Sequence, residues 1–151
     1  MNLIKSYHKN RFTKKAISSA LVPFLVIGAS TVSAADQVNQ NYIIENAKTG
    51  KDWPTHGFDY AETRFSPLSQ ISANNVEKLG LAWSYNLGSE RGVEATPLVV
   101  DGVMYVTASW SIVHALDATT GKKLWTYDPE VPGEAGSRGC CDVVNRGVAV
   151  H

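Results

Sequence analysis

The chain has 151 residues, with 14 Lys and Arg against 14 Asp and Glu, so that its formal net charge is zero. This length holds one domain at most. Nucleic-acid-binding proteins favour clustered positive charge, and the sequence gives no reason to expect such a partner.

The first 34 residues predict a cleaved secretory signal peptide. They contain five basic residues and no acidic ones, and an apolar run from about 20 to 29 is followed by small residues up to Ala35. A basic start, an apolar middle and a small-residue cleavage site are typical of such signals. Cleavage after Ala34 fits this rule, and cleavage one residue later fits it as well.

A transmembrane anchor is the alternative interpretation of this segment. The apolar run is shorter than the roughly 20 residues that span a bilayer, and Pro23 interrupts it. Removal of the signal would leave nine basic and fourteen acidic residues, a net charge of −5 with His neutral. Residues 35–151 are therefore expected to form an acidic exported piece.

Two segments in the first half of the chain have weak helical signals. Residues 36–50 are polar with one short apolar patch, which predicts a loose arm or a short helix. Residues 72–79 predict one short helix, with Asn74 as its N-cap and Gly80 as its stop.

The second half of the chain has the pattern of β-strands. Residues 81–87 alternate in polarity and are rich in apolar and aromatic side chains, which predicts a strand. The apolar runs 98–100 and 103–106 flank the pair Asp101-Gly102. An Asp-Gly pair in this position predicts a hairpin, because both residues of such a two-residue turn need positive φ.

Two more strands are predicted at residues 112–116 and 122–127, with a turn at 117–121 between them. The sequence Ala-Trp-Ser-Tyr around Trp83 is similar to Leu-Trp-Thr-Tyr around Trp125, 42 positions later. That separation suits one four-stranded blade of a β-propeller. Two unrelated core tryptophans in a β-sandwich are the alternative.

A propeller closes by packing its blades in a ring, so that one blade alone leaves its own apolar faces bare. The segment that leads to His151 has no stop signal. We therefore expect the sequence to be partial and the piece not to fold stably alone.

The only two cysteines, Cys140 and Cys141, are adjacent. Adjacent Cα atoms are about 3.8 Å apart, whereas ordinary disulfides need about 4.4 to 6.8 Å, so that a bond between neighbours closes a strained ring. Two free thiols are the alternative, which an oxidising compartment disfavours. The sequence therefore predicts a vicinal disulfide, and strain of this kind clusters at functional sites.

Four segments carry a specific motif pattern. They are Asp-Trp-Pro-Thr-His-Gly at 52–57, continued by Arg-Phe-Ser-Pro-Leu at 64–68; Glu-Ala-Thr-Pro-Leu-Val-Val-Asp-Gly-Val-Met-Tyr at 94–105; Ala-Leu-Asp-Ala-Thr-Thr-Gly-Lys-Lys-Leu-Trp at 115–125; and Gly-Cys-Cys-Asp-Val-Val-Asn-Arg-Gly at 139–147. In these segments the chain resembles the quinoprotein methanol and ethanol dehydrogenases, which depend on pyrroloquinoline quinone (PQQ). The last segment is the most selective of the four.

This resemblance implies an all-β fold, an eight-bladed β-propeller of which the chain holds the first one to two blades. It implies oxidation of a primary alcohol to an aldehyde in the periplasm, with electrons passed to a cytochrome c or a haem domain. The implied cofactors are PQQ and calcium, with haem c and peripheral membrane association as further options. The calcium ligands and the catalytic Asp are expected beyond His151, so that the piece itself is expected to be inactive.

The resemblance also implies four cofactor-binding residues. Cys140 and Cys141 would form one rigid wall against the flat PQQ ring. Arg146 would pair with carboxylate or quinone oxygens through its planar charged fork, and Glu94 would accept a hydrogen bond from the cofactor. On sequence alone, Arg146 would be a surface residue of a loop and Glu94 a solvated residue at a strand entrance.

Trp83, Trp125 and Gly121 are predicted to be structural, as parts of a docking motif between blades. A non-catalytic periplasmic scaffold is the rival function, because such propellers share the Asp-x-x-Thr-Gly-Lys-x-x-Trp style of motif but have no need of adjacent cysteines. Structural or solvated roles are predicted for the remaining histidines of the mature chain, His56, His114 and His151.

Overall fold

A four-stranded antiparallel sheet organises the part of the chain that the computed structural model describes, residues 38–138 and 140–151. The strands lie side by side in sequence order: β1 (Leu98–Val100), β2 (Val103–Thr107), β3 (Val113–Asp117) and β4 (Lys123–Tyr127). This meander is the arrangement predicted for a propeller blade. The signal-peptide prediction for residues 1–34 lies outside the described residues.

The hairpin between β1 and β2 forms as the Asp-Gly pair predicts. Asp101 and Gly102 have φ of 48° and 77°, and Val100 pairs with Val103 across the turn. Positive φ at both turn positions gives the two-residue loop a twist that matches the flanking strands. The local sequence therefore sets the register of the first two strands.

The turn between β3 and β4 is closed by one carboxylate. Asp117 Oδ1 accepts hydrogen bonds from the backbone N–H groups of Thr119 and Thr120, at 3.0 and 2.7 Å, and from Thr120 Oγ1 at 2.8 Å. The hydrogen bonds from Thr120 lower the pKa of the Asp117 carboxyl. Gly121 ends the turn with φ of 71°, a conformation that glycine adopts without steric cost.

The core has buried apolar side chains on both faces of the sheet. Leu98, Val100 and Ala115 share one face, and Val106 and Leu116 lie on the other, since successive side chains of a strand point to opposite faces. Phe58 is buried as well. Burial of one Val, Leu or Phe side chain is worth about 1.5 to 3 kcal/mol. Strand β4 contributes little to this core, because Leu124, Trp125 and Tyr127 remain about half exposed.

The helix α1 (Gln40–Thr49) precedes the sheet, which confirms the short helix rather than the loose arm at residues 36–50. Asn39 caps its start by accepting a hydrogen bond from the Tyr42 N–H at 3.0 Å. Gly50 ends it in the left-handed conformation, with its N–H donating to the Asn46 carbonyl at 2.7 Å.

A buried carboxylate ties α1 to the β1–β2 turn. Asp52 accepts a hydrogen bond from the Asp101 N–H at 3.0 Å and another from the Tyr42 hydroxyl. Its backbone N–H and carbonyl pair with the Asn46 side chain, at 2.8 and 2.9 Å. The next residue, Trp53, forms an antiparallel bridge to Val99, so that the segment after α1 extends the sheet at β1.

The helix predicted at residues 72–79 is wrong. Only a 3-10 turn forms there, Val76–Lys78, without a side-chain cap from Asn74. The neighbouring Asn75 instead accepts a hydrogen bond from the Ser72 N–H at 2.7 Å, and such local bonds compete with helix formation.

The strand predicted at residues 81–87 is also wrong. This segment pairs with no strand among the described residues, and Leu81 is largely exposed. Alternating polarity predicts an extended backbone, but hydrogen-bonded pairing needs a neighbouring strand that the local pattern cannot specify. None of the helices in the described part of the chain has the length and the apolar composition of a membrane-spanning segment.

Candidate cofactor site

The cysteine-containing segment, residues 140–147, packs along the end of β2 and the loop that follows it. The Trp110 N–H donates to the Val143 carbonyl at 2.9 Å, and Asn145 Nδ2 donates to Ser111 Oγ at 2.8 Å. Trp110 and Ser111 both have positive φ, 63° and 60°, so that this loop leaves the strand direction sharply.

The vicinal disulfide is present, as the sequence predicts. Cys140 and Cys141 are joined across one peptide bond, with Cα atoms 3.8 Å apart. Cys141 and the following Asp142 have φ of 73° and 71°, a left-handed conformation that few residues other than glycine adopt. Both cysteines are exposed, so that the disulfide presents an uncharged surface to whatever lies against this face.

Glu94 and Arg146, two of the residues proposed from the sequence, are brought together in an ion pair. Arg146 Nη2 lies 2.5 Å from Glu94 Oε2, and the two side chains are 65% and 45% exposed. Glu94 lies in the extended segment before β1, and Arg146 lies in the cysteine-containing segment. No hydrogen bond joins either of these side chains directly to the disulfide among the described residues.

A second ion pair was missed by the sequence interpretation. Arg91 binds Asp142 with two donors, Nε to Oδ2 at 2.9 Å and Nη2 to Oδ1. This bidentate contact lowers the pKa of the Asp142 carboxyl, with the Val143 N–H as a further cause. The available signal was an Asp directly after the cysteine pair and an Arg three residues before Glu94.

Two serines hold the segment that carries Arg91. Ser89 Oγ donates to Ser109 Oγ at 2.7 Å, and Ser109 Oγ donates to the Gly92 carbonyl at 2.9 Å. Ser109 is fully buried. A cavity of about 340 Å³ lies between this segment and the loop after β2.

This arrangement has the donor and acceptor set that a planar polyanion needs. The exposed disulfide offers an uncharged surface, and the Arg146 guanidinium has five N–H donors, only some of which Glu94 engages. The Glu94 carboxylate offers acceptor oxygens beside it. The residues present therefore fit a flat cofactor with carboxylate and carbonyl oxygens, such as a tricarboxylic ortho-quinone.

The residues predicted to be structural lie away from this site. The Trp83 indole N–H donates to the Ala118 carbonyl at 3.2 Å, and its ring covers Gly121. Trp125 is half exposed on β4. His114 is buried, with Nδ1 at 3.2 Å from Thr126 Oγ1.

The other two histidines differ in their surroundings. His56 is exposed and contacts the Arg64 guanidinium, whereas His151 lines a cavity of about 510 Å³ beside β4. In the part of the chain that is described, no three His, Cys, Asp or Glu side chains are grouped to hold a metal ion.

Comparison with known proteins gives matches in sequence and in structure. Residues 53–151 match the family model described as PQQ, glucose/ethanol/alcohol dehydrogenase, beta-propeller domain. The chain is 62% identical over 122 residues to the quinohemoprotein alcohol dehydrogenase of Comamonas testosteroni, covering 81% of this chain and 17% of that protein. It is 58% identical over 138 residues to the 1-butanol dehydrogenase (cytochrome c) of Thauera butanivorans, covering 91% and 18%.

The crystal structure of the Comamonas testosteroni quinohemoprotein alcohol dehydrogenase is similar to this one, with a TM-score of 0.75 and 63% identity. The alignment covers 78% of this chain and 18% of that structure. The chain therefore spans less than a fifth of the length of each of these relatives.

Proposed function

The chain belongs to the PQQ-dependent glucose, ethanol and alcohol dehydrogenase family of β-propellers, and on that premise we propose that it is part of an enzyme that oxidises a primary alcohol to an aldehyde. In this proposal, the PQQ cofactor is held by four residues of the chain, Glu94, Cys140, Cys141 and Arg146. PQQ would supply the two-electron acceptor for the alcohol when bound, and the protein would supply placement and electrostatics.

The observation that carries the proposal is the Glu94–Arg146 ion pair in the same pair of segments as the exposed disulfide. Arg146 comes from the cysteine-containing segment and Glu94 from the segment that Arg91 links to it. A guanidinium fork suits carboxylate and quinone oxygens, because both need paired, in-plane donors. A scaffold propeller has no use for this combination, which favours the enzyme.

The four residues have three proposed tasks, because the two cysteines act as one unit. The disulfide of Cys140 and Cys141 bears on one face of the planar ring and excludes water from it without adding charge. Arg146 fixes the rotation of the ring by pairing with its oxygens. Glu94 holds the guanidinium in place at 2.5 Å and accepts a hydrogen bond from a protonated group on the cofactor.

The remaining parts of the active site are proposed to lie outside the described residues. We assign the general base, an Asp, and the calcium ligands to the part of the family's length that this chain does not span. The electron acceptor is proposed to be a cytochrome c or a haem domain, since one relative is named for cytochrome c and another is a quinohemoprotein. Export to the periplasm after removal of residues 1–34 completes the proposal.

The test uses the full-length protein supplied with PQQ and calcium. We expect alcohol-dependent reduction of an artificial dye, lost or strongly reduced when Cys140 and Cys141 are both changed to Ala. Lys51→Ala, which removes an exposed ion pair to Asp101 on the hairpin, is the control and should keep full activity. Full activity in the double cysteine variant, or no alcohol oxidation by the intact protein with both cofactors present, would contradict the proposal.

A further inference from the structure

The bidentate ion pair between Arg91 and Asp142 lies directly beside the vicinal disulfide. We propose that Arg91 is a positioning residue that fixes the disulfide as a rigid wall of the cofactor site. This inference rests on the proposed function, because it assumes that the disulfide contacts PQQ.

The backbone at Cys141 and Asp142 has a conformation that needs stabilising contacts from another segment. Cys141 and Asp142 are consecutive residues with φ of 73° and 71°. A left-handed conformation is unfavourable for residues with a Cβ, and such conformations persist only where the surroundings hold them. The Asp142 side chain is bound by Arg91 through both carboxylate oxygens, so that a two-point contact is applied one residue after the disulfide.

The Arg91 side of the contact is itself anchored. Ser89 and Ser109 link the segment of Arg91 to the loop after β2, through hydrogen bonds of 2.7 and 2.9 Å that end at the Gly92 carbonyl. In the same loop, Trp110 donates to the Val143 carbonyl at 2.9 Å. The segment that carries Arg91 is therefore held in place while Arg91 binds Asp142.

These contacts form a closed circuit of interactions. It runs from Arg91 to Asp142, through the backbone to Val143, across to Trp110 and Ser109, and back to Gly92 next to Arg91. A closed circuit resists rotation about any one of its bonds. Removal of the Arg91 side chain opens the circuit at its only charged link.

The Arg91–Asp142 ion pair also helps to position the ion pair between Glu94 and Arg146. Glu94 lies three residues after Arg91, and Arg146 lies four residues after Asp142, so that the two ion pairs cross-link the same two segments. A shift of one segment against the other would therefore move both the disulfide and the proposed cofactor-binding pair. Positioning of this kind is costly to lose, since a misplacement of about 1 Å can reduce function roughly a hundredfold.

The test measures PQQ binding by titration of the full-length apoenzyme, followed by cofactor absorbance, together with the rate at which a water-soluble phosphine reduces the disulfide. For Arg91→Ala we expect PQQ affinity to fall roughly tenfold and disulfide reduction to become several-fold faster. Arg91→Lys keeps the charge but not the fork, and should restore only part of the affinity. Asp142→Asn tolerates the left-handed backbone and should match Arg91→Ala.

The double variant R91A/D142N identifies the pair as the cause. If the ion pair is the mechanism, the double variant should be no worse than either single variant, because the interaction can be lost only once. Additive losses would overturn the inference. Lys51→Ala is the matched control, since its partner Asp101 lies 50 residues away in sequence, as Asp142 lies 51 from Arg91, and it should change neither measurement.

The experiments can disprove the positioning role of Arg91 and the proposed function separately. If removal of both cysteines weakens PQQ binding but Arg91→Ala changes neither affinity nor reduction rate, the positioning role is wrong and the proposed function stands. If Arg91→Ala accelerates reduction but neither it nor the double cysteine variant weakens PQQ binding, the disulfide is not a wall of the cofactor site. A fall in thermal stability alone, with unchanged affinity and reduction rate, would also overturn the positioning role.

Discussion

Trp83 lies against the backbone of Gly121, 38 residues later in the chain, and leaves no room for a side chain there. A Cβ built on Gly121 would come within 2.6 Å of the indole Cδ2 atom, and the indole N–H donates to the Ala118 carbonyl at 3.2 Å. The segment 81–87 is thus fixed to the β3–β4 turn by one tryptophan, without pairing to a strand among the described residues.

Gly121→Ala should destabilise the full-length protein for two reasons. The residue has φ of 71°, and the added methyl group would overlap the Trp83 ring. Strained backbone and overpacking each cost about 1 to 3 kcal/mol, which chemical denaturation of the full-length protein would measure.

Gly102→Ala separates these two costs. Gly102 has φ of 77°, but a Cβ there would meet nothing within 4 Å. Its replacement should therefore cost only the backbone term, about 1 to 2 kcal/mol. Equal losses in the two variants would show that the contact with Trp83 does not constrain Gly121.

Arg146→Ala should weaken PQQ binding by the full-length apoenzyme. A hydrogen bond to a charged group contributes about 1.5 to 3 kcal/mol, which corresponds to roughly tenfold to a hundredfold in affinity. Titration with PQQ would measure the loss. Arg138→Ala replaces an exposed Arg eight residues earlier and should leave the affinity unchanged; an equal loss in both variants would indicate a general effect of charge.

Tyr42→Phe should destabilise the contact between α1 and the hairpin. The Tyr42 hydroxyl donates to Asp52, which is only 5% exposed, and burial followed by the hydrogen bond to Asp52 raises the pKa of Tyr42. Loss of one donor to a buried carboxylate costs about 1 to 3 kcal/mol, measurable as a lower free energy of unfolding. Tyr60→Phe, at an exposed tyrosine, is the control. Similar losses in the two variants would show that the hydrogen bond from Tyr42 to Asp52 does not stabilise the contact between α1 and the hairpin.

The unfolding free energy should fall as the pH falls below about 6.5, in part because of His114. Burial, and to a lesser degree the charge of Lys123, lowers the pKa of His114 from its ordinary value of 6.5. The unfolded chain therefore takes up this proton before the folded protein does, and stability present above pH 6.5 is lost on acidification. One such group contributes at most about 1.4 kcal/mol per pH unit.

His114→Gln should flatten this part of the pH dependence, whereas the same change at exposed His56 should not. Chemical denaturation at a series of pH values between 5 and 8 would measure the difference. An unchanged slope in His114→Gln would show that the buried imidazole does not govern the loss. Tyr85 and Thr126, whose hydroxyls lie 3.3 and 3.2 Å from Nδ1, are the other polar groups beside it.

Local signals predicted the elements whose geometry depends on a few neighbouring residues. The Asp101-Gly102 turn and the Gly121 turn formed as expected, because a positive φ is decided by the residue itself. The prediction of a helix at 72–79 failed because the Asn75 side chain accepts a hydrogen bond from the Ser72 N–H, a local bond that competes with helix formation.

The disulfide could be predicted because the sequence has two cysteines, which are adjacent, so that neither has another partner within the chain. The partner of Asp142 could not, because Arg91 is 51 residues away and many charged residues could have reached the same place. The pairing of the segment 81–87 could not be predicted for the same reason. Local alternation of polarity indicates a strand, but pairing depends on which distant segment lies beside it.

The sequence by itself determined the hairpin and its register, the turns and the bond between adjacent sulfurs, since each depends on covalent geometry and backbone preferences within a few residues. Only the tertiary structure decided that Glu94 meets Arg146, that Arg91 grips Asp142 and that Trp83 covers Gly121. Each of these contacts joins segments about 40 to 50 residues apart, and their distance in space is set by how the sheet folds the chain rather than by any local preference.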